Sequence, residues 1–89
     1  MSQEAETLLT FPCDFPIKVT GKNTTDFARE VMEIMNRLIP ENRRIHYSEQ
    51  LSRNQNYLSI TLTARFEDKA QIDGVYQALT QAKTVLMAL

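Results

Sequence analysis

Tryptophan is absent, cysteine and histidine occur once each, and only 2 glycines and 3 prolines punctuate 89 residues. Each shortage excludes something. A lone Cys13 cannot close an internal disulfide, which makes a reducing compartment the natural home. Cys13 and His46 together fall short of the ligand count of a metal site, and no cofactor is expected. Charge of either sign is also lacking in excess: 10 Lys and Arg stand against 11 Asp and Glu, for a net charge of −1. Such a chain has no global attraction for nucleic acid or for an anionic membrane. No apolar run approaches the ~20 residues of a membrane span, and the opening MSQEAETLL is acidic and polar, unlike a secretory signal. The expected location is the cytoplasm, with no membrane partner.

What is present is pattern. The 43% hydrophobic content, with so few Gly and Pro, excludes disorder and repeat arrays. A chain of this length buries only roughly 60–65% of its unfolded surface, leaving little to spare for a separate catalytic module. The clearest signal is YLSITLTARF, residues 57–66. Leu58, Ile60, Leu62, Ala64 and Phe66 alternate with Ser59, Thr61, Thr63 and Arg65, which predicts a central strand with one dry and one wet face. That strand carries no nucleophile, metal cluster or phosphate loop.

Around it the chain divides readily. Residues 1–7 read as a frayed polar tail, and residues 8–89 as one domain. A short apolar patch at 8–12 is expected to pack onto that domain. Phe15, Ile17 and Val19 alternate with Pro16, Lys18 and Thr20 in a first strand, which Gly21 ends by closing a turn where glycine takes positive φ cheaply. Thr24 or Thr25 caps a helix running to about residue 39, with Phe27, Val31, Ile34, Met35 and Leu38 as its apolar stripe. A second strand over 43–50 is expected to point Ile45 and Tyr47 inward and Arg44, His46 and Ser48 outward. Asp68 and Gln71 resemble a capping box for a second helix ending near residue 82. Gly74 inside it costs about 1 kcal/mol relative to Ala. The last strand, 84–89, is apolar on both faces. With right-handed crossovers, the order strand, helix, strand, strand, helix, strand predicts an α+β, ferredoxin-like βαββαβ sandwich. It is a four-stranded antiparallel sheet with both helices on one face.

LLTFPCDFPIKVTG (8–21), NRLIP (36–40), NYLSITLT (56–63), and Val75-Tyr76 through Leu79 to Val85-Leu86 resemble the YbeD-like family of small bacterial proteins. The likeness covers nearly the whole chain, and the order and spacing of these segments carry it. One departure is Gln55, where relatives often place a glycine. The resemblance implies a ferredoxin-like fold, likeness to ACT-type regulatory domains that bind small metabolites at subunit interfaces, and no assigned activity. It brings no catalytic residues.

Candidate chemistry is correspondingly thin. A thiol–imidazole dyad would need both Cys13 and His46, and a strand reading gives no reason for them to meet. Glu30 and Glu33 read as a solvated helix face. The wet sheet face is the sharper candidate: Lys18, Thr20, His46, Ser59, Thr61, Thr63 and Arg65, with the turn at Gly21 and the 51–56 loop as its rim. The turn's amides, at a helix N-terminus, are a place for an anion. The expected occupant is a small metabolite or a protein partner, and the protein is not expected to be an enzyme. An RNA-binding domain using Arg44, Arg65 and Lys18 is the alternative, opposed by the missing aromatic stacking platform and a pI near 5.7. The doubly apolar last strand needs a cover, either the 8–11 segment or a second copy of the protein as a homodimer.

Overall fold

The structure, a computed structural model, describes residues 10–89. The tail expected over residues 1–7, and Leu8 and Leu9 of the expected cover, lie outside the described residues. The elements are β1 (Cys13–Lys22), α1 (Thr25–Leu38), a 3-10 turn (Glu41–Arg43), β2 (Arg44–Leu51), β3 (Tyr57–Phe66), α2 (Lys69–Gln81) and β4 (Val85–Ala88). The strands form one sheet in the order β2-β3-β1-β4, antiparallel at every pairing. This is the ferredoxin-like sandwich that the alternating periods predict.

The sheet is organised by β3. Leu58, Ile60, Leu62, Ala64 and Phe66 are all buried, and β1 supplies their partners: Ile17 lies opposite Leu62 and Val19 opposite Ile60. The apolar stripes of α1 (Phe27, Val31, Ile34, Met35) and α2 (Ile72, Val75, Leu79) close over the same face in a single cluster. Both helices therefore lie on one side of the sheet. Thr24 caps α1, its hydroxyl accepting from the Phe27 N–H at 3.1 Å. Asp68 caps α2, accepting from the Gln71 N–H at 3.0 Å. The capping box is displaced by one residue: the Gln71 side chain accepts from the Glu67 N–H (2.8 Å) and from Arg43 (3.1 Å).

Four expectations need correction, three of them in the sheet. Ile45 and Tyr47 do lie on the helix side of β2, but they are 54% and 41% exposed, because the helices pack over the central strands and leave this edge uncovered. Arg44 does not point outward. An irregularity between Arg44 and His46 shifts the register, so Arg44 sits opposite the buried Ala64. Its guanidinium donates to the Ile39 carbonyl (3.1 and 2.9 Å), the Met35 carbonyl (3.3 Å) and Asn36 Oδ1 (2.9 Å), satisfying acceptors at the end of α1. Gly21, finally, lies inside β1 and has no positive φ. Space is what it supplies: a Cβ there would stand 2.3 Å from Phe27 Cδ1.

Glu30 is not simply solvated. Its carboxylate accepts from the N–H of Thr84 at 2.9 Å and from the Thr84 hydroxyl, tying α1 to the turn that leads into β4. These bonds, the hydroxyl first, hold its carboxyl below the usual range. The resulting stabilisation is complete above the ordinary carboxylate pKa and disappears as pH falls through the lowered folded value. Glu30→Gln should therefore flatten the acid side of the stability profile. Urea midpoints followed from neutral to acid pH check this, and an unchanged acid slope would show that the tie contributes nothing.

Candidate functional site: the open sheet face

Three rungs make the middle of the face turned away from the helices, and the facing pair Asp14 and Arg65 extends it beyond the third. Gln50, Ser59, Thr20 and Met87 make one, running from β2 through β3 and β1 to β4. Ser48, Thr61 and Lys18 make the next. Leu89 completes that rung, since Lys18 and Leu89 exchange backbone hydrogen bonds of 2.9 and 2.8 Å. His46, Thr63 and Pro16 form the third. Each rung crosses a row of hydroxyls, and the first two end on exposed apolar side chains, Met87 (55%) and Leu89 (65%).

Seven of the eight expected site residues therefore share this face: Lys18, Thr20, His46, Ser59, Thr61, Thr63 and Arg65. Gly21 does not; it is buried on the helix side, opposite Leu58. Thr20 and Ser59 join hydroxyls at 3.0 Å, linking the two central strands. Arg65 is paired, its Nε donating to Asp14 Oδ1 at 3.1 Å from the facing position on β1. Sequence reasoning overlooked this partner, because the two residues are 51 positions apart and meet only through strand register. It also passed over Met87 and Leu89 as parts of the face, although the doubly apolar last strand carried the signal. Phe11, from the expected cover, packs against the core, while Leu86, Met87 and Leu89 remain exposed.

The rim is more closed than the sequence implies. The Asn23 N–H donates to the Asn56 carbonyl (2.9 Å), and the Asn23 side chain donates to the Gln55 carbonyl (3.1 Å), so the two loops meet. Gln55 takes φ 65°, in the left-handed region that favours glycine. A cavity of about 420 Å³ opens here between Lys22, Asn23, Thr24, Gln55, Asn56 and Tyr57. The N-terminus of α1 is already occupied: Thr24 takes the Phe27 amide, and Asp26 adds negative charge to the first turn. Another cavity, about 240 Å³, lies on the other side of the sheet, between α1 and β2.

Cys13 and His46 fall on opposite faces, Cys13 beside the buried Phe66 on the helix side and His46 beside Thr63 on the open side. They form no dyad. Among the described residues, no group of three or more His, Cys, Asp or Glu is placed to hold a metal. Nor is any described helix long and apolar enough to cross a membrane.

A family model described as "Protein of unknown function (DUF493)" matches residues 6–89. The UPF0250 protein NE1487 of Nitrosomonas europaea is 38% identical over 84 residues, covering 94% of this chain and 97% of its own. A UPF0250 protein of Paraburkholderia phytofirmans is 35% identical over 89 residues, the whole of both chains. The chain belongs to the DUF493 family. The YbeD-like resemblance seen in the sequence is thereby borne out. Among solved structures, this DUF493 chain is similar to the ACT domain of a GTP pyrophosphokinase from Chlorobium tepidum, at a TM-score of 0.70 and 9% identity over 86% of this chain and 97% of that one. It is also similar to protein HP0495 of H. pylori, at a TM-score of 0.67 and 17% identity over 91% of this chain and 85% of that one. At such identities the likeness is one of fold, and the fold is ACT-like.

Proposed function

We propose that this DUF493 protein is a cytoplasmic, non-enzymatic interaction domain of regulatory type, which binds a protein partner across its open sheet face. The observation that carries the reading is the rung pattern. A broad row of Ser and Thr hydroxyls, able to donate and accept, grades into exposed Met87 and Leu89. Polar specificity beside an apolar anchor is the usual anatomy of a protein interface. A small metabolite asks instead for concavity. The rim cavity at Lys22, Thr24 and Tyr57 offers it, and metabolite binding there is the second reading. The placement of the cations argues against RNA: Arg44 is engaged on the helix side and Arg65 is paired with Asp14.

A photoreactive amino acid at Thr61, compared in cells with one at the solvent-facing Glu33 of α1, tests the reading. Discrete protein adducts are expected from Thr61 alone. Adducts from Glu33 alone would move the site to the helices and reject the open face. Tight, salt-sensitive RNA binding lost in Lys18→Ala and Arg65→Ala would reverse the choice of partner.

A further inference from the structure

Strand β2 is a long edge of the sheet, and among the described residues about half of its backbone faces no neighbouring strand. The Ser52 N–H donates to the Tyr57 carbonyl at 2.9 Å across the hairpin. Backbone direction alternates along an antiparallel strand, so His46, Ser48 and Gln50 turn their N–H and C=O toward β3. Tyr47, Glu49 and Leu51 turn theirs out, where the sheet stops. The side chains of these three lie on the helix-side face, opposite Leu62, Ile60 and Leu58. Beside them runs the groove of about 240 Å³ lined by Met32, Ile45 and Tyr47. Proline and lysine, which blunt edges elsewhere, are missing from the strand; Glu49 is the one charge on its helix-side face beyond the Arg44 end, to which its irregularity is confined.

We propose that a second copy of this chain occupies the edge, β2 against β2, antiparallel about a two-fold axis passing at Ser48. The outward-facing groups admit neighbouring registers, and the side chains choose between them. Centred on Glu49, the pairing opposes two carboxylates. Centred on Tyr47, it sets Ile45 beside the partner's Glu49. Centred on Ser48, it places Ile45 beside the partner's Leu51, Tyr47 beside the partner's Glu49, and His46 beside the partner's Gln50. Apolar then meets apolar, the phenol meets a carboxylate, and no like charges face each other. Tyr47 already donates a hydrogen bond to its own Glu49, so both side chains are disposed on the face this pairing uses. The dimer extends the 4-stranded sheet into one twice as wide, with both open faces on the same side. It stands independently of the partner reading above, since it uses the edge and the helix side.

In a Cys13→Ala background, Ser48→Cys places two thiols in a non-hydrogen-bonded pair whose Cα atoms lie about 4.5 Å apart, within disulfide reach. Mild oxidation is expected to convert this variant to covalent dimer, and to do so faster than Tyr47→Cys or Glu49→Cys, which report the rejected registers. The unmodified chain should show concentration-dependent dimerisation by sedimentation. Glu49→Pro, which removes an outward N–H, should raise the dissociation constant about tenfold or more while leaving the β3 amide spectrum intact. Should that proline disturb the fold, Ile45→Lys, at an exposed position, must weaken the dimer in its place. A chain that stays monomeric up to its solubility limit overturns the proposal. So does preferential cross-linking through Glu49→Cys, or through Met87→Cys on the opposite edge.

Discussion

Ile60→Asp is expected to remove most or all of the stability of this domain, while Thr61→Asp, one residue along, leaves it nearly intact. Ile60 is fully buried in the middle of β3, opposite Val19 and beneath the helices. A carboxylate there must be desolvated without a partner or protonated against its pKa, and either course costs several kcal/mol. A domain of this size has only about 5–15 kcal/mol to lose. Thr61 points to the open face between Lys18 and Ser48, so an aspartate stays hydrated and faces a cation. Its expected cost is within about 1 kcal/mol. Urea melts of the two variants decide the matter, and equal losses would abolish the two-faced description of β3.

The second large effect concerns the two glycines, which are expected to respond in opposite directions to alanine. At Gly21 the added methyl would stand 2.3 and 2.5 Å from two ring carbons of Phe27 and 2.7 Å from the Thr84 carbonyl oxygen. Phe27 is the largest fully buried side chain and Thr84 contributes backbone, so neither neighbour yields cheaply. Gly21→Ala should cost about 2–4 kcal/mol. Gly74 meets nothing within 4 Å on an exposed turn of α2. Gly74→Ala should therefore gain up to about 1 kcal/mol from helix propensity. Thermal midpoints measure both, and a neutral Gly21→Ala would mean that Phe27 and the turn before β4 relax together.

The features readable in the sequence were those that depend on neighbours along the chain. The alternation of β3, the stripes of α1 and α2, and the caps at Thr24 and Asp68 are local, and they specify the order of elements and hence the sandwich. The features that escaped depend on meetings between distant segments. Ile45 and Tyr47 are apolar on the proper face, yet burial requires a helix overhead, and none extends over β2. A one-residue irregularity turned Arg44 from the open face to the end of α1, and nothing in RIHYSEQL announces it. Gly21 was legible as constrained, but not that its constraint is the ring of Phe27. On the open face the hydroxyl row was plain, whereas the neutralisation of Arg65 by Asp14 waited on register.

The position of β1 bears on how the fold is reached during synthesis. It is bonded on both flanks to strands made after it, β3 and β4. An emerging chain therefore carries its first strand unpaired through the whole of α1 and β2, with the stripe of Phe27, Val31, Ile34 and Met35 lacking most of its cover. Only when Ile60 and Leu62 leave the ribosome can Val19 and Ile17 find partners, across a long loop whose closure entropy is met before the contacts repay it. Until then the nascent chain displays apolar surface of the kind that chaperones bind.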